Sequence, residues 1–210
     1  MRELMTFDTF EPAALPRVDQ SKLINGFVVP RPIAWVSTTG SAGVNLAPFS
    51  YFNAVAVDPC MVMFSVGVPV GARSGTVKDT LQNLTEIPEF VLHLVDRDLA
   101  KQMISTSTEL SRGQSEFEFA GLTEIPSVRV RPPRIEQACV HMECRVHRIV
   151  ELGASPFHMV IGEVLLVHAR SGIVNASHHV DQDLYGPVAR LGGVGLYTAL
   201  KDRFVLDGPG

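Results

Sequence analysis

The sequence predicts a mainly β fold, a closed or partly closed antiparallel barrel with peripheral α-helices. Three observations carry this reading. Strand-like runs dominate the chain, at residues 33–38, 54–57, 61–66, 89–95, 140–147 and 159–169. Helical stretches come at intervals and do not follow every strand, which removes the doubly wound parallel alternative. The 140–147 run alternates apolar and polar residues without a break, as expected of an antiparallel strand with two unlike faces. A barrel with strands of this length and few helices is the architecture that fits.

Each element follows from its residues. Residues 1–20 read as a loosely structured arm ahead of one domain, 21–210. The β-rich run 33–38 leads into Thr39-Gly40-Ser41-Ala42-Gly43, a hairpin turn signal. The short run 54–57 stops at Asp58-Pro59, and 61–66 is so continuously apolar that cover on both faces is expected. Residues 76–87 read as a helix with Thr76 as N-cap, Asp79 in the first turn and Pro88 ending it. A strand at 89–95 places Phe90, Leu92 and Leu94 on one face, and 98–106 reads as a second helix.

In 140–147, Val140, Met142, Cys144 and Val146 oppose His141, Glu143, Arg145 and His147. The phase slips at Arg148, which predicts a bulge. Residues 159–169 form a long apolar strand, and 196–204 read as a short terminal helix.

Composition narrows the function. With 210 residues, 46% of them apolar, the chain can bury a sizeable core. Net charge is −4 with no basic block, so a nucleic-acid partner is not expected. The three cysteines, Cys60, Cys139 and Cys144, have no CxxC spacing, which argues against a disulfide framework and a zinc knuckle. The first residues lack the apolar core of a signal peptide, and no run reaches the ~20 apolar residues of a membrane span. A soluble cytoplasmic protein without a membrane partner is expected.

Two segments stand out chemically. From Asn45 to Asn53 the chain reads Asn-Leu-Ala-Pro-Phe-Ser-Tyr-Phe-Asn, short polar groups set among aromatics. Such a mixture suits a flat ligand with a polar edge, and equally suits an edge strand that covers the core. Lys78, Asp79 and Thr80 open a predicted helix, with Arg73, Ser74 and Thr76 just before them. A helix start with a lysine and hydroxyls can hold a phosphate, although a capped surface helix has the same appearance. Together the pair suggests flavin mononucleotide (FMN).

Trp35, the single tryptophan, either stacks on a ligand ring or fills the core. Ala189–Tyr197 joins Arg190 to three glycines and a tyrosine, a segment that either closes over a ligand or turns between elements. No Rossmann glycine pattern, P-loop or nucleophile elbow occurs. His178-His179 and the His141/His147 pair read as surface histidines rather than metal ligands, so no metal is expected. Cys60, heading an apolar strand, reads as a core residue.

With these pieces in order, the chain resembles the flavin reductase-like family of FMN-binding split barrels, which includes flavoredoxin. The resemblance rests on RPIAWVST (31–38), NLAPFSYFNAVAVDP (45–59), MVMFSVG (61–67), TVKDTLQN (76–83), EFVLHLV (89–95), FEFAGL (117–122), VIGEV (160–164) and ARLGG (189–193). It implies a Greek-key split β-barrel, a homodimer, and FMN in a groove at or near the subunit interface. It also implies that Trp35, Ser37, Thr38, Asn45, Ala47, Pro48, Phe49, Ser50 and Asn53 line the flavin. Ser65 and Gly67 would pass beneath it, Lys78, Asp79 and Thr80 would hold the phosphate region, and Arg190 would add a contact. The implied activity is NAD(P)H-dependent flavin reduction, hydride passing to flavin N5, with a monooxygenase or redox protein as partner. The alternative is a flavoredoxin-like electron carrier that holds FMN tightly. No catalytic side chain is singled out, because the cofactor carries the chemistry.

Overall fold

The structure, a computed structural model, describes residues 5–69, 76–111, 113–153, 157–206 and 208. A helix α1 (Arg17–Phe27) precedes strand β1 (Arg31–Pro32) and the hairpin of β2 (Ala34–Gly40) and β3 (Gly43–Phe49). Then come β4 (Phe52–Val57), β5 (Cys60–Val66), α2 (Asp79–Glu86), β6 (Glu89–Leu94), α3 (Ala100–Ser105) and α4 (Glu116–Phe119). The small pair β7 (Glu124–Ile125) and β8 (Arg134–Ile135) leads to the long hairpin β9 (Val140–Leu152) and β10 (Phe157–Ala169). Helix α5 (Gln182–Tyr185), β11 (Val188–Arg190) and β12 (Tyr197–Ala199) end the chain.

Seven strands form one antiparallel sheet in the order β3-β2-β6-β9-β10-β5-β4. Its two edges, β3 and β4, are consecutive in the chain and joined only by Ser50 and Tyr51. A sheet whose edges are so tethered must curl until they meet, yet no ladder joins them. The result is a split barrel, mainly β with peripheral helices, as the sequence predicts. A second sheet, β1-β11-β12, lies beside it.

The barrel interior is filled by Val36, Phe49, Phe64, Phe90, Leu92 and Cys144 together with Leu81 and Leu84 of α2. Leu81 and Leu84 lie three apart on one face of α2, so the helix stoppers this core. Gly162 of β10 is required beside Phe90: a Cβ there would lie 2.4 Å from the ring.

The outer face of the sheet is also buried over β2, β3, β6 and the start of β9. The segment between α3 and β9 folds over it, packing Trp35, Leu46, Met103, Phe117 and Ile135 into a second core. Beneath this cover sits a polar cluster. The His93 Nδ1–H donates to the Trp35 carbonyl at 2.8 Å, and its Nε2 accepts from the Ile135 N–H at 3.1 Å. His141 donates through Nε2 to Ala138, while its Nδ1 is buried with no partner. Glu143, fully buried, accepts from the N–H groups of Val128 and Arg129 and meets His168 Nε2 at 2.7 Å.

Burial, with the neighbouring His141 adding to it, pushes His93 down to about 3. Burial and the Arg134 charge push His141 down to about 4. Burial alone would raise the Glu143 pKa, but its N–H donors and His168 outweigh it and hold the carboxyl below its usual range.

Several expectations shift. The helix expected over 76–87, α2, begins at Asp79, not Thr76; Lys78 is its N-cap and supplies no side-chain cap bond. The predicted helix at 196–204 is instead β12, pairing with β11, because Tyr197–Ala199 finds a strand edge to extend. Cys60 is exposed at the β4–β5 turn, its thiol donating to the Val57 carbonyl. His141 is buried, since the outer face of β9 is covered at that end. The slip near Arg148 appears as a register shift that leaves His147 unpaired between Arg148 and Val146. On β5 the burial alternates, so one face is fully covered and the other only partly.

Candidate functional site

The hairpin turn Ser41-Ala42 fixes the register of β2 on β3, Gly40 pairing with Gly43. That register brings Asn45, Ala47 and Pro48 to one wall of a groove of about 210 Å³. Lys78, Asp79 and Thr80 at the start of α2 form the second wall, and the Thr106–Leu110 segment after α3 forms the third. The walls are tied together: Asn45 Nδ2 donates to Thr80 Oγ1 at 2.9 Å. Lys78 Nζ lies 5.9 Å from the Phe49 ring centroid. At the floor, Glu116 is turned inward and accepts from the Leu46 N–H at 3.0 Å.

The donor set fits one charged end of a ligand. Thr80 Oγ1, almost fully buried, accepts from Asn45 and has a proton of its own to donate. The first residues of α2 line the groove, where Lys78 adds a positive charge and Asp79, Glu109 and Glu116 add carboxylates. By contrast, Thr106 and Ser107 donate their hydroxyl protons to the carbonyls of Met103 and Ile104. A cavity this small is below the ~300–1,000 Å³ that encloses a whole small ligand. It has room for a terminal group only.

The residues singled out from sequence do not all meet in one place. Asn45, Ala47, Pro48, Lys78, Asp79 and Thr80 meet in this groove. Ser50 and Arg190 line a second groove, and Ser65 a third. Trp35, Ser37, Thr38 and Phe49 are buried in the packing. Trp35 donates its indole N–H to Thr106 Oγ1, Ser37 bonds the Pro133 carbonyl, and Thr38 accepts from Asn83. These four support the walls from behind rather than lining them. Asn53 is exposed and accepts from the Ala54 N–H, and Gly67 packs against the Phe157 ring. Arg73 and Ser74 lie outside the described residues.

Sequence reading missed the third wall. Thr106-Ser107-Thr108 was visible only as three consecutive hydroxyl residues at a helix end. The link that makes the run part of the groove is the bond to Trp35, 71 residues away.

A curled split barrel with a polar groove between β3 and the start of α2 is the architecture of flavin-handling proteins, and the comparisons agree. The model of the flavin reductase like domain matches residues 26–184, and the chain belongs to that family. An uncharacterised protein of Aquifex aeolicus is 39% identical over 173 residues, 82% of this chain and 86% of its own length. The crystal structure of nitrilotriacetate monooxygenase component B from Bacillus cereus superposes with a TM-score of 0.90 at 31% identity, covering 97% of this chain and 100% of that one. The Pseudomonas fluorescens 2-nitrobenzoate 2-nitroreductase NbaA follows at 0.85 and 32%, covering 96% of each chain. The protein is a flavin-linked oxidoreductase.

Proposed function

We propose that the protein binds FMN and reduces it with NAD(P)H, acting as a cytoplasmic homodimer that serves a monooxygenase. The observation that carries this reading is the Asn45–Thr80 bond, which joins the polar-aromatic β3 wall to the charged start of α2 in one groove. A pocket of about 210 Å³ at a helix start suits the terminal phosphate of FMN better than the pyrophosphate and adenosine of FAD. Likeness to a monooxygenase component at 31% identity over nearly the full length supports the partner class.

When bound, the flavin supplies the ring that accepts hydride. The chain's residues bind and orient it. Lys78, the Thr80 hydroxyl and the first turn of α2 fix the phosphate end. Ala47 and Pro48 offer a flat apolar contact on the path from that end towards the ring, and Asn45 keeps Thr80 in position. No side chain need move a proton for hydride transfer itself.

The test is anaerobic mixing of the flavin-loaded protein with NADH or NADPH, following the loss of flavin absorbance. Rapid bleaching by one nicotinamide supports the reductase. Bleaching by a reduced redox protein and by neither nicotinamide would replace it with an electron-carrier role. Purification without any flavin, and no binding of added FMN, would sink both.

A further inference from the structure

A second groove, of about 450 Å³, lies between α1 and the glycine turn that follows β11. Lys22, Arg31 and Arg190 line it beside Ser50 and Tyr51, and no carboxylate does; Lys22 pairs with Asp19 at 2.7 Å on the exposed side of α1, so the cations without a carboxylate are the two arginines. Arg31 is only 7% exposed, yet no carboxylate pairs with it among the described residues. Its guanidinium donates to the carbonyls of Asn25 and Val28, and its Nε is buried without a partner. Arg190 donates to the carbonyls of Leu196 and Gly193 and stacks over Tyr197, again with no carboxylate among the described residues. Carbonyls satisfy N–H directions, but they do not neutralise the charge. Buried or half-buried cations without a counter-ion are unfavourable. An anion supplied from outside would relieve this.

The walls are built for the purpose. Gly192 approaches α1 so closely that a Cβ on it would lie 2.9 Å from the Gly26 Cα. Next to the cationic groove, and sharing Val18, Ser21 and Tyr51 with it, runs a larger one of about 890 Å³. Leu23, Ile24, Tyr51 and Phe157 make it apolar and aromatic, the two rings lying within 22° of parallel with centroids 6.4 Å apart. Arg31 sits 5.9 Å from the Tyr51 centroid, where the two grooves meet. A cationic compartment joined to an aromatic one matches a phosphate joined to a planar base.

We propose that these joined grooves bind the adenine nucleotide half of the electron donor, phosphates against Lys22, Arg31 and Arg190 and the base against Tyr51 and Phe157. Naming the donor as a nicotinamide dinucleotide rests on the reductase reading above. Pro48 lines the flavin groove and Ser50 the cationic one. Two residues of extended chain separate them, about 7 Å, a gap that one dinucleotide spans readily.

The experiment is calorimetric titration of the flavin-loaded protein with ADP and with adenosine, in the wild type and in Lys22→Glu and Arg190→Gln. Lys22 is on the exposed face of α1, so its variant guards against loss of folding through the Arg190 turn. ADP is expected to bind more tightly than adenosine. Each variant should weaken ADP by about tenfold or more while leaving adenosine and FMN unchanged. KM for the nicotinamide that the protein oxidises should rise in parallel, with kcat retained. ADP binding no tighter than adenosine, unchanged ADP affinity in both variants, or an equal loss of FMN would overturn the assignment. If ADP behaves as expected while neither nicotinamide is oxidised, the nucleotide groove stands and the reductase reading fails.

Discussion

Acidification from pH 8 to pH 5 should cost the folded chain about 4 kcal/mol, through two imidazoles buried under the outer cover of the barrel. His93 accepts the Ile135 N–H at Nε2, so a proton there would set donor against donor. His141 Nδ1 is buried with no hydrogen-bond partner. Both pKa values are therefore depressed in the folded state, to about 3 and about 4. A depressed value means stability that is complete above the unfolded value of 6.5 and is lost as pH falls towards the folded one. At pH 5 the unfolded chain has taken up both protons and the folded chain neither. Over about 1.5 pH units at ~1.4 kcal/mol per unit, each ring contributes about 2 kcal/mol.

Urea unfolding followed by far-ultraviolet circular dichroism at pH 8, 6.5 and 5, extrapolated to water, reads this directly. His93→Gln should halve the pH-dependent part. Stability that stays level between pH 8 and pH 5 would show that the cover opens to water, and the account of the cluster would be wrong.

Three further outcomes are expected. Lys78→Ala should weaken FMN by about 1.5–3 kcal/mol and riboflavin hardly at all, measured by fluorescence titration; equal losses would remove the phosphate from the start of α2. Glu143→Gln should destabilise the fold by about 3 kcal/mol in urea, because the amide cannot accept from Val128, Arg129 and His168 together; a change below about 1 kcal/mol would refute this. Gly162→Ala should cost about 1–3 kcal/mol by driving a methyl into the Phe90 ring, and a neutral melting temperature would count against the tight β10–β6 approach.

Much of the fold was legible along the chain, and for local reasons. The Gly40–Gly43 turn appears where its glycines stand, and Gly43 has φ +104°. Pro88 closes α2, and the alternation through β9 continues until the slip beside His147. The start of α2 was misplaced because Thr76 carries the hydroxyl an N-cap favours, whereas the observed N-cap, Lys78, makes no side-chain cap bond. Residues 196–204 were misread because a short apolar run becomes a strand only when a partner edge is present, here β11.

The site divides in the same way. Asn45, Ala47, Pro48, Lys78, Asp79 and Thr80 could be named from residue type, since each lies on a local feature: a strand beside a turn, or the first residues of a helix. Trp35, Ser37 and Thr38 looked equally suited to a ligand, and nothing local could separate them from it. Their side chains are buried because residues far along the chain cover the outer face of β2 while α2 packs against its inner face. Strand identity and chemical type are carried by neighbours within a few residues. Which face of a strand meets water, which cation lacks a counter-ion, and which hydroxyls share a groove depend on contacts between distant segments, and only the folded chain brings those together.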